Sequence, residues 1–166
     1  LSGVLTYNFD AWRVRATADG ENSFDASNPR PASPADVGGS LKVASFNVLN
    51  FFTTLDDGSA TSGPGSLSPR GADTQDEFDR QVAKLVTALT QIDADVFGLV
   101  ELENEFGDQN GDGEFAIGFL VDALNAAVEE ARYAYVDPGV PFVGTDAIAV
   151  GFIYNTSTVE LVGDAA

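Results

Sequence analysis

Apolar residues follow two different spacings in successive parts of the chain, and together these predict a mixed α/β fold. Short runs rich in β-branched and other apolar residues are typical of strands, and apolar residues spaced by three and four are typical of helices. From residue 41 onward the predicted order is strand, loop, helix, strand, loop, helix and three further strands. The predicted strands are 42–47, 96–101, 133–136, 147–154 and 159–162, and the predicted helices are 74–91 and 115–131.

The two predicted helices each have one apolar side. The first begins where Thr74 and Glu77 have the spacing of a capping box. Its expected buried stripe comprises Phe78, Val82, Leu85, Val86 and Leu89. The second helix is expected to bury Ile117, Leu120, Val121, Leu124 and Val128.

The composition around these elements predicts three regions. Residues 1–17 contain two short alternating strands and are interpreted as the end of a preceding small β-domain. Residues 18–40 are rich in proline and glycine, which indicates a linker. The main domain is predicted over residues 41–166, with strand 96–101 buried on both faces and a mobile glycine- and serine-rich loop over 56–69.

Composition excludes some classes of protein. The 166 residues are 44% hydrophobic and contain no cysteine, so disulfides and cysteine metal sites are excluded. No apolar run approaches the roughly 18 residues of a membrane span. The formal charge of −18 predicts either a solvated acidic surface or recruitment of cations. Such a chain should repel nucleic acid at low salt, so any binding of nucleic acid would need bound divalent cations and local arginines.

Two polar residues at predicted strand ends suggest a shared chemical site. Asn47 and Glu101 each follow an apolar run, and ligands of open α/β sheets bind at the carboxyl ends of strands. An amide that holds a phosphoryl oxygen and a carboxylate that holds a divalent cation would suit phosphodiester hydrolysis. We expect Asn47 to be buried and hydrogen-bonded. Strict alternation would place Glu103 on the same face as Glu101, which would concentrate negative charge for a hard cation.

Five segments in order carry a family resemblance. They are VASFNVLNFF, RGADT, EFDRQVAKLVTAL, DADVFGLVELEN and GTDAIAVGFIYN. Together they resemble the endonuclease/exonuclease/phosphatase superfamily, also called DNase I-like, and within it the bacterial extracellular nucleases. The resemblance covers about residues 41–163. It implies a four-layer α/β sandwich, of which about half is encoded here, and a secreted enzyme.

The resemblance also implies roles for individual residues. Glu101 matches the metal-binding glutamate, Asn47 the asparagine of the first catalytic motif, and Arg80 a supporting arginine on the first helix. Further residues lie in segments that recur in the subgroup and imply substrate binding or support of the site: Asn50, Arg70, Asn104 and Asp146. The implied cofactor is Mg²⁺ or Mn²⁺, and the implied partner is nucleic acid, with DNA the expected substrate.

The sequence also departs from the family pattern. It contains no histidine, although the superfamily assigns general acid and base chemistry to one. The first residue is not methionine, and we expect this sequence to be an incomplete piece that is inactive by itself. The alternative with the same fold is a phosphoesterase that acts on phospholipids or small phosphate esters.

An alternative from another class is a calcium-binding surface module. Asp108, Asn110 and Asp112 occupy the first, third and fifth positions of a calcium loop, with Gly113 at the sixth. The twelfth position is Phe119 rather than glutamate, so the loop is incomplete.

Overall fold

The computed structural model of the protein describes residues 3–17, 25, 27–109, 111 and 113–163. The chain divides into two compact units, Leu1–Ala32 and Ser33–Ala166. In the first unit, β1 (Gly3–Asn8) and β2 (Ala11–Ala16) form an antiparallel hairpin. The two predicted strands of this region are therefore present, and the described residues between 18 and 40 contain no helix or strand.

The second unit contains a mixed four-stranded sheet with the strand order β3-β4-β6-β5, which confirms the α/β class. Strand β3 (Val43–Phe51) runs parallel to β4 (Val96–Glu103). Strand β6 (Ile148–Asn155) is antiparallel to both β4 and β5 (Tyr133–Tyr135).

The predicted strand over 159–162 is wrong. The chain turns out of the sheet directly after β6, where the N–H groups of Thr158 and Val159 donate to the carbonyl of Asn155. No strand among the described residues pairs with the apolar residues that follow, although their composition favours β structure.

Helix α1 (Gln75–Ile92) begins as the sequence predicts. The Thr74 side chain accepts a hydrogen bond from the Glu77 N–H, and Glu77 Oε2 accepts from the N–H of Asp73 at 3.2 Å. Glu77 thus reaches one residue further back than in a standard capping box. Helix α2 (Ala116–Val128) is shorter than predicted. Its C-cap residue, Glu129, adopts a left-handed conformation with φ 56°, which ends the helix.

Both helices pack on one face of the sheet, and the core lies between them. Phe97, Leu99 and Ile153 are fully buried on this face, together with Leu89 of α1 and Leu120 of α2. Burial of these side chains supplies the main stabilisation of the unit.

The opposite face of the sheet is open. Val43 is 70% exposed, and Val150 and Phe152 are about half exposed, at 51% and 48%. Val100 of β4 is also exposed on this face, so the expectation that this central strand is buried on both faces is wrong. Apolar residues such as Val100 on its open face are common in strands, because a strand that is buried on only one face already favours them.

The segment predicted as a mobile loop, 56–69, is held by hydrogen bonds. Ser62 and Leu67 form an isolated antiparallel bridge, and the Asp56 N–H donates to the carbonyl of Ala72. The carboxylate of Asp57 accepts hydrogen bonds from Ser59, and these bonds lower the pKa of Asp57. The loop therefore has a defined path beside the site described next.

Candidate active site

A β-bulge in β4 lies at Glu101, near the carboxyl end of this central strand. Leu99 pairs with Gly151 of β6 and Leu102 pairs with Ala149, so two residues of β4 oppose one residue of β6. Such an insertion bends the strand and re-aims the side chain beside it. Glu101 itself has φ 66°, in the left-handed region that non-glycine residues seldom adopt.

The neighbouring strand is irregular at the same level. On β3, Asn47 pairs with Val100, and the pairing resumes only at Phe51 with Leu102. Leu49 and Asn50 lie inside this interruption with φ 60° and φ 48°. A left-handed conformation costs on the order of 1–2 kcal/mol for an ordinary L-residue. Strained residues tend to cluster at functional sites, and here they surround one carboxylate.

Asn47 and Glu101 meet in the folded chain. Asn47 Nδ2 donates to Glu101 Oε1 at 2.7 Å, and the backbone N–H of Asn50 donates to Oε2 at 3.1 Å. Each carboxylate oxygen thus accepts one hydrogen bond and retains capacity for another ligand. Glu101 is partly exposed, so this remaining capacity can be reached from solvent.

The orientation of the Asn47 amide is fixed by the backbone. Its Oδ1 accepts the N–H of Leu49 at 2.7 Å, which directs Nδ2 towards Glu101. Nδ2 carries two hydrogens, and one of them is not needed for the bond to Glu101. The expectation that Asn47 is buried is wrong, because Asn47 projects from the open face of the sheet and is exposed.

Glu103 does not share this arrangement. The bulge breaks the alternation on which its predicted place beside Glu101 depended, and its side chain is only 1% exposed. Its Oε2 accepts from the N–H and hydroxyl of Thr53 and from the N–H of Thr54, at 2.8, 3.0 and 3.3 Å. Its Oε1 accepts from the hydroxyl of Ser62. Glu103 is therefore a structural carboxylate that ties two loop segments to the sheet.

Asn104, Arg70 and Asp146 form a second group. Asn104 is fully buried. Its Nδ2 donates to the carbonyls of Val143 and Asp146, at 2.9 and 2.8 Å, and its Oδ1 accepts the N–H of Val143. The Asp146 carboxylate accepts from Arg70 Nη2 at 2.8 Å, in an exposed ion pair. Asn104 thus holds the loop on which Asp146 presents its carboxylate to Arg70.

Helix α1 adds three polar residues near Asn50. Arg80 contacts Glu77 at 3.9 Å and is 62% exposed, and the structure gives it no bond to Asn47 or Glu101. Gln81 Nε2 donates to the carbonyls of Val48 and Leu49, at 3.0 and 2.8 Å. Neither Gln81 nor Lys84 was predicted as a site residue. Gln81 follows Glu77 by four residues and Lys84 follows Arg80 by four, and this spacing marks a polar stripe beside the buried one.

The structure describes only part of the predicted calcium loop. Asn110 and Asp112 lie outside the described residues. Asp108 uses both carboxylate oxygens to accept the N–H groups of Gly111 and Gly113, at 2.6 and 3.0 Å. In this role it closes a turn.

Glu101 is compatible with magnesium, which commonly takes only one or two protein carboxylates and completes its shell with water and substrate phosphate. Within the described part of the chain, no three acidic, histidine or cysteine side chains form a group that could enclose a metal.

Over the same described ranges, no helix has the length and hydropathy needed to cross a membrane. Comparison of the chain with protein-family models, with curated proteins and with solved structures finds no match in any of the three.

Proposed function

We propose that this chain contributes the metal- and phosphate-binding part of a secreted nuclease that hydrolyses the phosphodiester bonds of DNA with Mg²⁺ or Mn²⁺. The observation that supports this most directly is the contact between Asn47 Nδ2 and Glu101 Oε1. It joins an amide donor and a carboxylate on an exposed, strained bulge. The resemblance of five sequence segments to DNase I-like enzymes points to the same chemistry.

Each residue has a defined part in the proposal. Glu101 would hold the cation through its free coordination capacity, and Asn50 keeps the carboxylate in place through its backbone N–H. Asn47 would donate its second amide hydrogen to a phosphoryl oxygen, which orients the scissile phosphate. A divalent cation held there would supply polarisation of the phosphoryl oxygen and would favour ionisation of the attacking water. Because the sequence contains no histidine, we assign the general-acid role to none of these residues.

Metal binding gives the first test. Isothermal titration of the 166-residue chain with Mn²⁺ should show binding that weakens at least about tenfold in Glu101→Gln. Glu160→Gln is the matched control, because it removes one equally charged carboxylate at an exposed position outside the site. Equal affinity in the two variants would remove Glu101 from the proposal.

Plasmid nicking tests the reaction itself. The natural full-length protein should nick supercoiled DNA in magnesium, and EDTA or Glu101→Gln should abolish the activity while Glu160→Gln retains it. Nicking that survives EDTA would rule out the metal-dependent reaction. A folded protein that leaves DNA intact and hydrolyses sphingomyelin or a small phosphate ester would support the alternative phosphoesterase.

A further inference from the structure

The basic residues of the second unit are distributed unevenly. This unit contains five of the eight lysines and arginines in the sequence. Lys42 and Arg132 are both paired with Asp93, at 3.3 and 2.6 Å. The remaining three all line one cleft, and these are Arg70, Arg80 and Lys84. In a chain with a formal charge of −18, this is a local concentration of cations.

The cleft adjoins the candidate active site. It has a volume of about 440 Å³ and lies between helix α1 and the interruption of β3, where Leu49 and Asn50 form part of its wall. Asn50 also donates its backbone N–H to Glu101, so the same residue belongs to the cleft and to the site. Gln81, another lining residue, fixes this wall through its bonds to the Val48 and Leu49 carbonyls.

Arg80 and Lys84 are presented to solvent with little use within the fold, whereas Arg70 is paired with Asp146. Arg80 and Lys84 lie one helical turn apart and therefore project to the same side of α1. Arg80 makes only a long, exposed contact with Glu77, at 3.9 Å. Among the described residues, no hydrogen bond or ion pair is found for Lys84. Arg70 is oriented by Asp146 and is still about half exposed.

The cleft also contains two carboxylates, which limit its positive charge. Asp73 and Glu77 line it, and Glu77 Oε2 accepts the backbone N–H of Asp73 at the start of the helix. Three cations face these two carboxylates, and Arg70 is also paired with Asp146 at 2.8 Å, so positive and negative groups are balanced here while the whole chain is strongly negative. Salt screens the distant acidic residues beyond about 8–10 Å, and a ligand in the cleft is affected mainly by its nearest charges.

We propose that this cleft binds the phosphate backbone of the nucleic acid strand next to the scissile phosphate. The inference rests on the proposed function and extends it by naming the surface that the substrate strand follows away from Glu101. Arginine pairs with phosphate in a bidentate fork and lysine as a point charge. Contacts of this kind position a strand without reading its sequence. They also account for how so acidic a chain would hold a polyanion.

Binding of a fluorescein-labelled DNA oligonucleotide tests the cleft separately from catalysis. We would measure fluorescence anisotropy in EDTA and at several salt concentrations, so that neither cleavage nor metal ligation contributes. The test variant is Arg80→Gln with Lys84→Gln. The control is Arg13→Gln with Arg15→Gln, which removes the same charge from the exposed hairpin of the first unit.

The cleft variant should bind at least about tenfold more weakly than the natural sequence at low salt, and the control should change less than about twofold. The slope of log K against log salt should fall by roughly 1.4–1.8 in magnitude, as expected for two lost phosphate contacts. The charge-conserving variant Lys84→Arg should retain binding. Because all four replaced side chains are exposed, thermal melts should be unchanged.

Equal weakening in the cleft and control variants would overturn the proposal, as would undetectable binding by the natural sequence at low salt. Either result leaves the proposed function standing if Glu101→Gln still abolishes nicking. Conversely, weakened binding in the cleft variant together with no nicking by the full-length protein would contradict the proposed catalysis and retain the cleft.

Discussion

Replacing Glu103 by alanine should destabilise the protein strongly, because this buried carboxylate accepts hydrogen bonds from three residues in two loop segments. The N–H groups of Thr53 and Thr54 point at its Oε2 and would lose their acceptor. An unsatisfied buried donor costs about 1–3 kcal/mol. Two such donors give a loss of about 2–6 kcal/mol, and the Thr53 and Ser62 hydroxyls add little because they can turn to other partners.

Glutamine at the same position should cost less. Its amide oxygen can accept from Thr53 and Thr54, and its amide nitrogen can donate to the Ser62 hydroxyl, which rotates to accept. The remaining loss is that of the charge, because hydrogen bonds to a charged group are stronger than neutral ones. We expect about 1–2 kcal/mol for Glu103→Gln.

Urea unfolding with linear extrapolation measures both values, and the slope m should stay constant if only stability changes. Glu101→Ala is the matched control, because Glu101 is partly exposed and accepts only two hydrogen bonds. Its loss should stay below about 2 kcal/mol. The reasoning is refuted if Glu103→Ala unfolds within about 0.5 kcal/mol of the natural sequence. Intact stability combined with lost Mn²⁺ binding would identify Glu103 as a metal ligand instead.

Two further changes test the packing near the cleft and the ends of the strands. Gly71→Ala should destabilise by about 1–3 kcal/mol in urea unfolding, because its Cβ would lie 2.7 Å from the Cβ of buried Phe52; an unchanged midpoint would contradict this contact. Hydrogen bonds from the Thr158 hydroxyl and the Lys42 N–H lower the pKa of Asp95 in the folded protein. The carboxylate therefore stabilises the fold at pH values above its pKa in the unfolded chain, and this stabilisation is lost as the pH falls through its pKa in the folded protein. The stability deficit of Asp95→Asn should therefore be full at neutral pH and shrink below about pH 4, and a deficit independent of pH would argue against this carboxylate.

Local sequence signals were sufficient for both bounds of helix α1. The capping residue Thr74 and the stripe that includes Phe78, Leu85 and Leu89 placed α1 within one residue of its observed bounds. Both signals act over one or two turns of the same helix, so they need no information about distant residues. The error for strand 159–162 has the opposite cause, since a strand exists only where another strand pairs with it.

The meeting of Asn47 and Glu101 at one end of the sheet also followed from the sequence. Each residue ends an apolar run, and parallel strands bring their carboxyl ends to one edge. The prediction for Glu103 failed, because alternation holds only in an unbroken strand. The bulge beside Glu101 depends on how β4 pairs with both neighbours, and no residue within β4 signals it.

What the sequence determined by itself, then, was the order of elements as far as β6, the buried stripes and the pair of polar strand ends, because these depend on periodicity and nearest neighbours. Only the tertiary structure decided that Asn47 is exposed, that Glu103 is structural and that Arg70, Arg80 and Lys84 share a cleft. Those facts depend on the register of three strands and on the placement of α1 beside β3, which are set by packing between residues far apart in the chain.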